Sequence, residues 1–203
     1  MQTKILGVNQ SGAEVNLLAS EGGLLAGLPY QVLWTAKGYG FQAMATAAVA
    51  ALVIRPSTLS IATLRNASTD KVYVMERAFA HNLVAAAQSD YNIWLCLHPS
   101  TCAVGTDEIT VRNRTNGAVA GGSSSTFENA ATVVADGWFP WGGAYTTVTV
   151  TTPGGLLVAE IGGRLIVPPN CAISISVTAS VNTATFCCGF HWFEVPESEL
   201  AIG

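Results

Sequence analysis

Charge is what this sequence has least of. Only 11% of its 203 residues are Asp, Glu, Lys or Arg, against roughly 25% in an ordinary soluble domain. The shortage is local as well as general: from Asn129 to Phe193 only Asp136, Glu160 and Arg164 are charged, and from Gly38 to Leu64 only Arg55. Interspersed charge keeps soluble monomers apart, and neutral or apolar area marks contact sites. These two stretches are therefore expected to be buried between copies of the chain or against a larger partner; the alternative is a surface of Thr, Ser and Gly. Nine Lys plus Arg, thinly spread in a chain of net charge −4, leave no basic footprint for direct nucleic-acid binding.

Long apolar runs are also missing. The longest, AMATAAVAALVI from Ala43 to Ile54, falls short of the ~20 residues that span a bilayer as a helix, so no membrane segment is expected. The start, MQTKILGVNQSG, lacks the charged, apolar and small-residue succession of a secretory signal, which predicts synthesis in the cytosol. Five cysteines are an odd number without the paired spacing of a secreted disulfide framework, and reduced thiols packed in a core are expected.

Motifs that carry chemistry are absent as well: no Walker loop, no dinucleotide fingerprint, no GxSxG and no HExxH. The histidines are His81, His98 and His191. Cys188 and His191 have C-x-x-H spacing but point to opposite sides of a strand. Cys187 and His191 share a side yet stand too far apart for one ion, and the paired C-x-x-C partner is missing. Cys96 and His98 are close in sequence, but a thiol nucleophile must meet its base and an orienting third group in space. Asp107 and Glu108 are adjacent and so diverge on a strand. The expectation is a chain that is not an enzyme, with no catalytic, metal or cofactor-binding residue. Asn66-Ala67-Ser68 and Asn113-Arg114-Thr115 match the glycosylation pattern, as chance matches in a chain without a secretion signal.

What is present reads as β-structure. Up to about residue 40, Gly7, Gly12, Gly22, Gly23, Gly27 and Pro29 break every apolar run, so residues 1–40 are expected to form an extended arm or short ribbons. Its anchors would be Leu17, Leu18, Leu24, Leu25 and Trp34; completion of the chain's own sheet by a strand pair is the alternative. Residues 41–203 show strand-length runs divided by turn residues, the pattern of a β-sandwich. Strands are expected at 47–55, 59–65, 71–80, 92–98, 108–112, 131–135, 145–152, 156–161, 164–167, 171–179 and 183–195. Helix has little claim outside the Ala-rich run ending at Ile54.

In CAISISVTA, Cys171, Ile173, Ile175, Val177 and Ala179 alternate with Ala172, Ser174, Ser176 and Thr178, which places one face in a core and leaves a small uncharged face opposite. The last strand is apolar on both sides: Phe186, Cys188, Phe190 and Trp192 on one, Cys187, His191, Phe193 and Val195 on the other. Such a strand belongs mid-sheet, with its second face against another layer, a neighbouring subunit being a natural candidate. The stretch from Thr115 to Ala130 reads as a flexible surface loop. WFPWGG, Trp138 to Gly143, cannot be a regular central strand because of Pro140.

GGRLIVPPNCAISISVTA followed by ATFCCGFHWFEVP resembles the closing strands of jelly-roll virion proteins of tailed bacteriophages, and the G-V-N-x-x-G and E-G-G-L-L segments are similar to their arms. The resemblance implies an all-β, jelly-roll-like antiparallel β-sandwich with an extended N-terminal arm. It implies a capsid cement or decoration protein, a homotrimer on the outside of a phage head with the major capsid protein as partner, made in the host cytoplasm. The interface is expected to use Leu17, Leu18, Leu24, Leu25, Trp34, Trp138, Trp141, Phe186, Phe190 and Trp192. The competing reading is a tail, fibre or lectin-like module that binds host glycans through Trp138, Trp141 and Tyr145.

Overall fold

Period-two alternation governs most of the chain and folds it into two antiparallel sheets packed face to face. The computed structural model describes residues 6–8, 14–16, 29–84, 89–99, 108–119, 125–129, 137–146 and 155–200. Leu17, Leu18, Leu24, Leu25, the expected strand at 131–135 and residues 147–152 of the strand expected at 145–152 lie outside them. A short ribbon pairs β1 (Leu6–Val8) with β2 (Glu14–Asn16). Helix α1 (Tyr30–Ala36) leads into β3 (Gly40–Met44), β4 (Val49–Ala50), β5 (Ala62–Asn66), β6 (Lys71–Val84) and β7 (Ser89–His98). Then come β8 (Glu108–Ile109), β9 (Arg112–Asn113), β10 (Ser125–Asn129), β11 (Phe139–Thr146) and β12 (Leu156–Glu160). The chain closes with β13 (Ile166–Val167), β14 (Ala172–Ala179), β15 (Thr185–Pro196) and α2 (Glu197–Leu200).

The first sheet has the order β11-β7-β14-β5-β10-β8 and the second β12-β6-β15-β3-β9, with β13 on β6 and β4 on β15. Successive strands cross between sheets, β5 to β6 to β7, β11 to β12 and β14 to β15, so residues from both sheets meet in one core. Leu64, Ile93, Leu95, Ile173, Ile175 and Val177 project from the first sheet onto Tyr73, Met75, Phe186, Phe190 and Trp192 of the second. Tyr91 meets Phe186 edge to face at 5.3 Å between ring centres, and Phe41 stacks on Trp192 at 6.2 Å. Burying each large apolar side chain contributes about 1.5–3 kcal/mol, and this layer is what the alternation predicts.

A bulge in β6 decides what its two faces carry. Met75 pairs with Trp192 and Arg77 with His191, which leaves Glu76 without a partner on β15. Its carbonyl instead accepts the N–H groups of Ile161 and Gly162 at 2.9 and 2.8 Å. The extra residue lets Tyr73, Met75, Ala78 and Ala80 all face inward, while Arg77, Phe79 and His81 turn outward.

Several expectations are corrected. The Ala43–Ile54 run contains no helix; the helix is α1, within the stretch read as an arm, and it lies on β15. There Tyr30, Trp34 and Tyr39 pack over Val72, Val74, Phe193 and Val195, so at this end the second face of the last strand is covered by the chain's own helix. Ser125–Asn129, assigned to a flexible loop, is strand β10 between β5 and β8. WFPWGG is, as expected, no regular central strand: it enters β11, the edge of its sheet in the described residues, where Pro140 is tolerated beside a register shift at Pro140/Gly142. The serine face of CAISISVTA is not left open: Ser174 and Ser176 are 0% and 1% exposed. Residues 51–61 run along β14, with Leu52 bridged to Thr178 and the Ile61 N–H donating to the Ile175 carbonyl at 3.0 Å.

Candidate functional site: the outward face of the second sheet

Register aligns the outward side chains of the second sheet into rows. One row crosses five strands: Glu160 beside Arg77, Arg77 beside His191, His191 beside Gln42, and Gln42 beside Arg112. The next row is Val158, Phe79, Gly189 and Met44, and the third is Leu156, His81 and Cys187. With strands ~4.8 Å apart, Arg77 and Arg112 stand about 14 Å from each other. A polar row therefore adjoins two rows that are mostly apolar.

Gly189 shapes the centre of this face. A Cβ there would stand 2.6 Å from Cζ of Phe79 and closer still to the carbonyl oxygen of Ala43. The missing side chain lets the Phe79 ring lie across the strand, edge to face with His191 at 5.1 Å. A depression of about 530 Å³ opens between Gln42, Met44, Phe79, Thr110, Arg112 and His191. A second, of about 370 Å³, adjoins it along Arg77, Phe79, His81 and Leu156. Both fall in the size range of ligand clefts. Large apolar side chains stand open here: Leu156 is 55%, Val158 38% and Met44 37% exposed.

The electrostatics are uneven. Arg77 is spoken for by Glu160, with Nη2 and Oε1 2.7 Å apart. Behind the row, Arg114 pairs with Glu76 and lies over the Phe193 ring, its guanidinium carbon 5.6 Å from the ring centre. Arg112 donates to the Gly117 carbonyl at 3.0 Å, and no carboxylate pairs with it among the described residues. Burial, and then the Arg114 charge, hold His191 below the ordinary imidazole range, so it is neutral at pH 7 and offers one donor and one acceptor.

The expected interface residues divide. Phe186, Phe190 and Trp192 are each 0% exposed, and this corrects their assignment to an interface: the chain's own core has used their whole area. Trp138 is 4% exposed, packed with Cys96 and Trp94 on the outer side of the first sheet. Its Nε1 donates to the Ser57 carbonyl at 2.7 Å and its own carbonyl accepts from Arg55 at 3.1 Å. Trp141 is half-buried, its Nε1 donating to the Glu160 carbonyl at 3.1 Å beneath the Arg164 guanidinium. Trp34 is half-buried over Phe193, with ring centres 5.4 Å apart.

The chemical candidates are likewise placed. Cys96 Sγ is 3.8 Å from His98 Nδ1, and His98 Nε2 is 2.8 Å from Ser174 Oγ. The hydroxyl chain continues through Thr63 to Ser60, at 2.7 Å for each step. The pair thus meets in space, but Cys96 is 0% and His98 2% exposed, so a substrate has no access to the thiol. No group of three metal-ligating residues occurs among the described residues. Asn66, 0% exposed, donates its amide to the Lys71 and Val167 carbonyls at 2.8 and 2.9 Å, and so cannot carry a glycan. Among the described residues no helix is long and apolar enough to cross a membrane.

Sequence reading did not pick out Met44, Phe79, Arg112, Leu156 and Val158. Alternation in Arg77, Phe79 and His81 was the available signal, hidden by the bulge that resets it. No family model matches this chain, and no curated protein matches it. Among solved structures, the infectious bursal disease virus VP2 subviral particle is similar at 12% identity with a TM-score of 0.10, over 81% of this chain and 40% of that one. The chain spans about two fifths of that protein's length, and a superposition this weak bears on neither fold nor role.

Proposed function

We propose that this chain is a structural virion protein of the capsid cement or decoration class, which assembles as an oligomer, a homotrimer in the simplest form, and binds the outside of a phage head through the major capsid protein. The observation that carries this reading is the outward face of the second sheet, where Leu156, Val158 and Met44 stand exposed beside a groove. Contiguous apolar area of this kind marks a contact surface. The few charges of the sequence and its resemblance to jelly-roll virion proteins point the same way. The glycan-binding alternative loses support because both indole N–H groups of Trp138 and Trp141 are engaged within the chain.

The test is reconstitution. Heads that lack the chain are mixed with the purified protein, and retention on the particle and resistance to heat or chelators are measured. Saturable binding with raised resistance is expected. Specific binding to glycans with no retention on heads refutes the proposal.

A further inference from the structure

Helix α1 depends on what it lies on. It has seven residues, none of them fully buried, with no side-chain cap at Pro29 and no acidic residue in its first turn. Isolated helices shorter than about 12–15 residues are marginal in water, so α1 is helical because it is docked. Two rings make the contact: Tyr30 and Trp34 pack on Phe193, with ring centres 6.1 and 5.4 Å away. The strand beneath is held differently, since β15 pairs with β6 from Thr185 to Pro196 and with β3 from Gly189 to Phe193. Lifting α1 therefore breaks no strand ladder.

A single carboxylate ties the helix down across a glycine. Gly38 has φ +79°, and a Cβ there would meet nothing within 4 Å, so backbone conformation alone asks for glycine at this point. Directly after it the chain joins the sheet: the Tyr39 carbonyl accepts from the Glu194 N–H at 2.9 Å and the Gly40 carbonyl from the Arg114 N–H at 2.8 Å. Glu199 of α2 holds both flanks of this glycine. Its Oε2 is 2.7 Å from Lys37 Nζ, and its Oε1 accepts from the Tyr39 hydroxyl at 2.8 Å. A further tie runs from the Thr115 hydroxyl to the Thr35 carbonyl at 2.6 Å. These ties are exposed to solvent, where such bonds are weak.

We propose that α1 is a strap that lifts from β15 as a unit about Gly38 while the two sheets stay closed, with Glu199 as its latch. Lifting bares Val72, Val74, Phe193 and Val195, the apolar end of the sheet, which α1 keeps at no more than 4% exposure. The device is independent of the assembly role advanced above, and retention on heads neither supports nor weakens it.

The test is amide hydrogen exchange on the full chain, resolved by NMR. The amides of Leu33, Lys37, Gly38 and Tyr39, which donate within α1 and its end, should share one opening equilibrium and exchange at least about tenfold faster than those of β15 after correction for intrinsic rates. Glu199→Ala should speed them about two- to fivefold. Gly38→Ala should speed them about threefold or more, because alanine resists a positive φ. Protection in β14 and β15 should be unchanged in both variants, which also reports that they are folded. In a Val74→Cys chain, thiol labelling at position 74 should quicken by the same factor when Glu199→Ala is added. The inference is overturned if α1 exchanges only as slowly as β15, if its amides open independently of one another, or if Glu199→Ala leaves α1 unchanged or accelerates α1 and β15 alike.

Discussion

Gly189→Ala tests how the centre of the outward face is built. The added methyl would meet the Ala43 carbonyl oxygen and stand 2.6 and 2.9 Å from two ring carbons of Phe79. The carbonyl belongs to β3, which is paired with β15 at this point through Met44 and Gly189. It can retreat only by spreading the sheet, whereas the ring can swing outward. Overpacking of this kind costs about 1–3 kcal/mol. For a chain of this length that lowers Tm by about 2–12 °C. Gly155→Ala, where a Cβ meets nothing within 4 Å, is the control and should stay within about 0.5 kcal/mol of the parent. Urea unfolding measures both, and the double variant Gly189→Ala/Phe79→Ala separates the two contacts. Removing the ring should recover part of the loss, as a coupling energy above about 0.5 kcal/mol. If Gly189→Ala is as stable as the Gly155→Ala control, the close approach of Phe79 and β3 to Gly189 is refuted.

Three further outcomes are expected. Trp192→Ala empties a fully buried site and should cost about 3–5 kcal/mol in denaturant unfolding; a change below about 1 kcal/mol would contradict its place in the core. Because the pKa of His191 is lowered on folding, the unfolded chain binds the proton more readily. Its contribution to stability is thus complete above about pH 6.5 and is lost as pH falls through the lower, folded value. His191→Gln should flatten that part of the pH profile of the unfolding free energy, and an NMR titration placing the His191 pKa at or above 6.5 would refute the assignment. Burial raises the pKa of the Cys187 and Cys188 thiols and Cys171 is only half-buried, so alkylation of the native protein mapped by mass spectrometry should modify Cys171 before Cys96, Cys187 or Cys188. Early modification of Cys188 would count against its burial.

The sequence by itself determined the β-sandwich and most of its strands, because side chains in a strand alternate and one face must be dry. CAISISVTA and FCCGFHWFEV state that alternation in the residues themselves, and the structure puts Ile173, Ile175, Phe186, Phe190 and Trp192 in one core. The same residues show where the reading stopped. A shortage of charge in these stretches points to subunit contacts, yet much of that neutrality belongs to the chain's own interior. Composition does not distinguish a core shared between sheets from one shared between chains.

Tertiary structure alone decided the rest. It supplied α1 as the cover for Phe193 and Val195, and Trp138, packed with Cys96 and Trp94 and donating to the Ser57 carbonyl, as a cover for the outer side of the first sheet. The outward face of the second sheet is set by register. Glu160, Arg77, His191, Gln42 and Arg112 come from five separate strands and form a row only when those strands pair. The bulge at Glu76 turns Phe79 outward, and Gly189 gives its ring room to lie flat. Alternation is a property of neighbours along the chain and can be read from it; register joins residues more than a hundred positions apart and is fixed only when the sheets close.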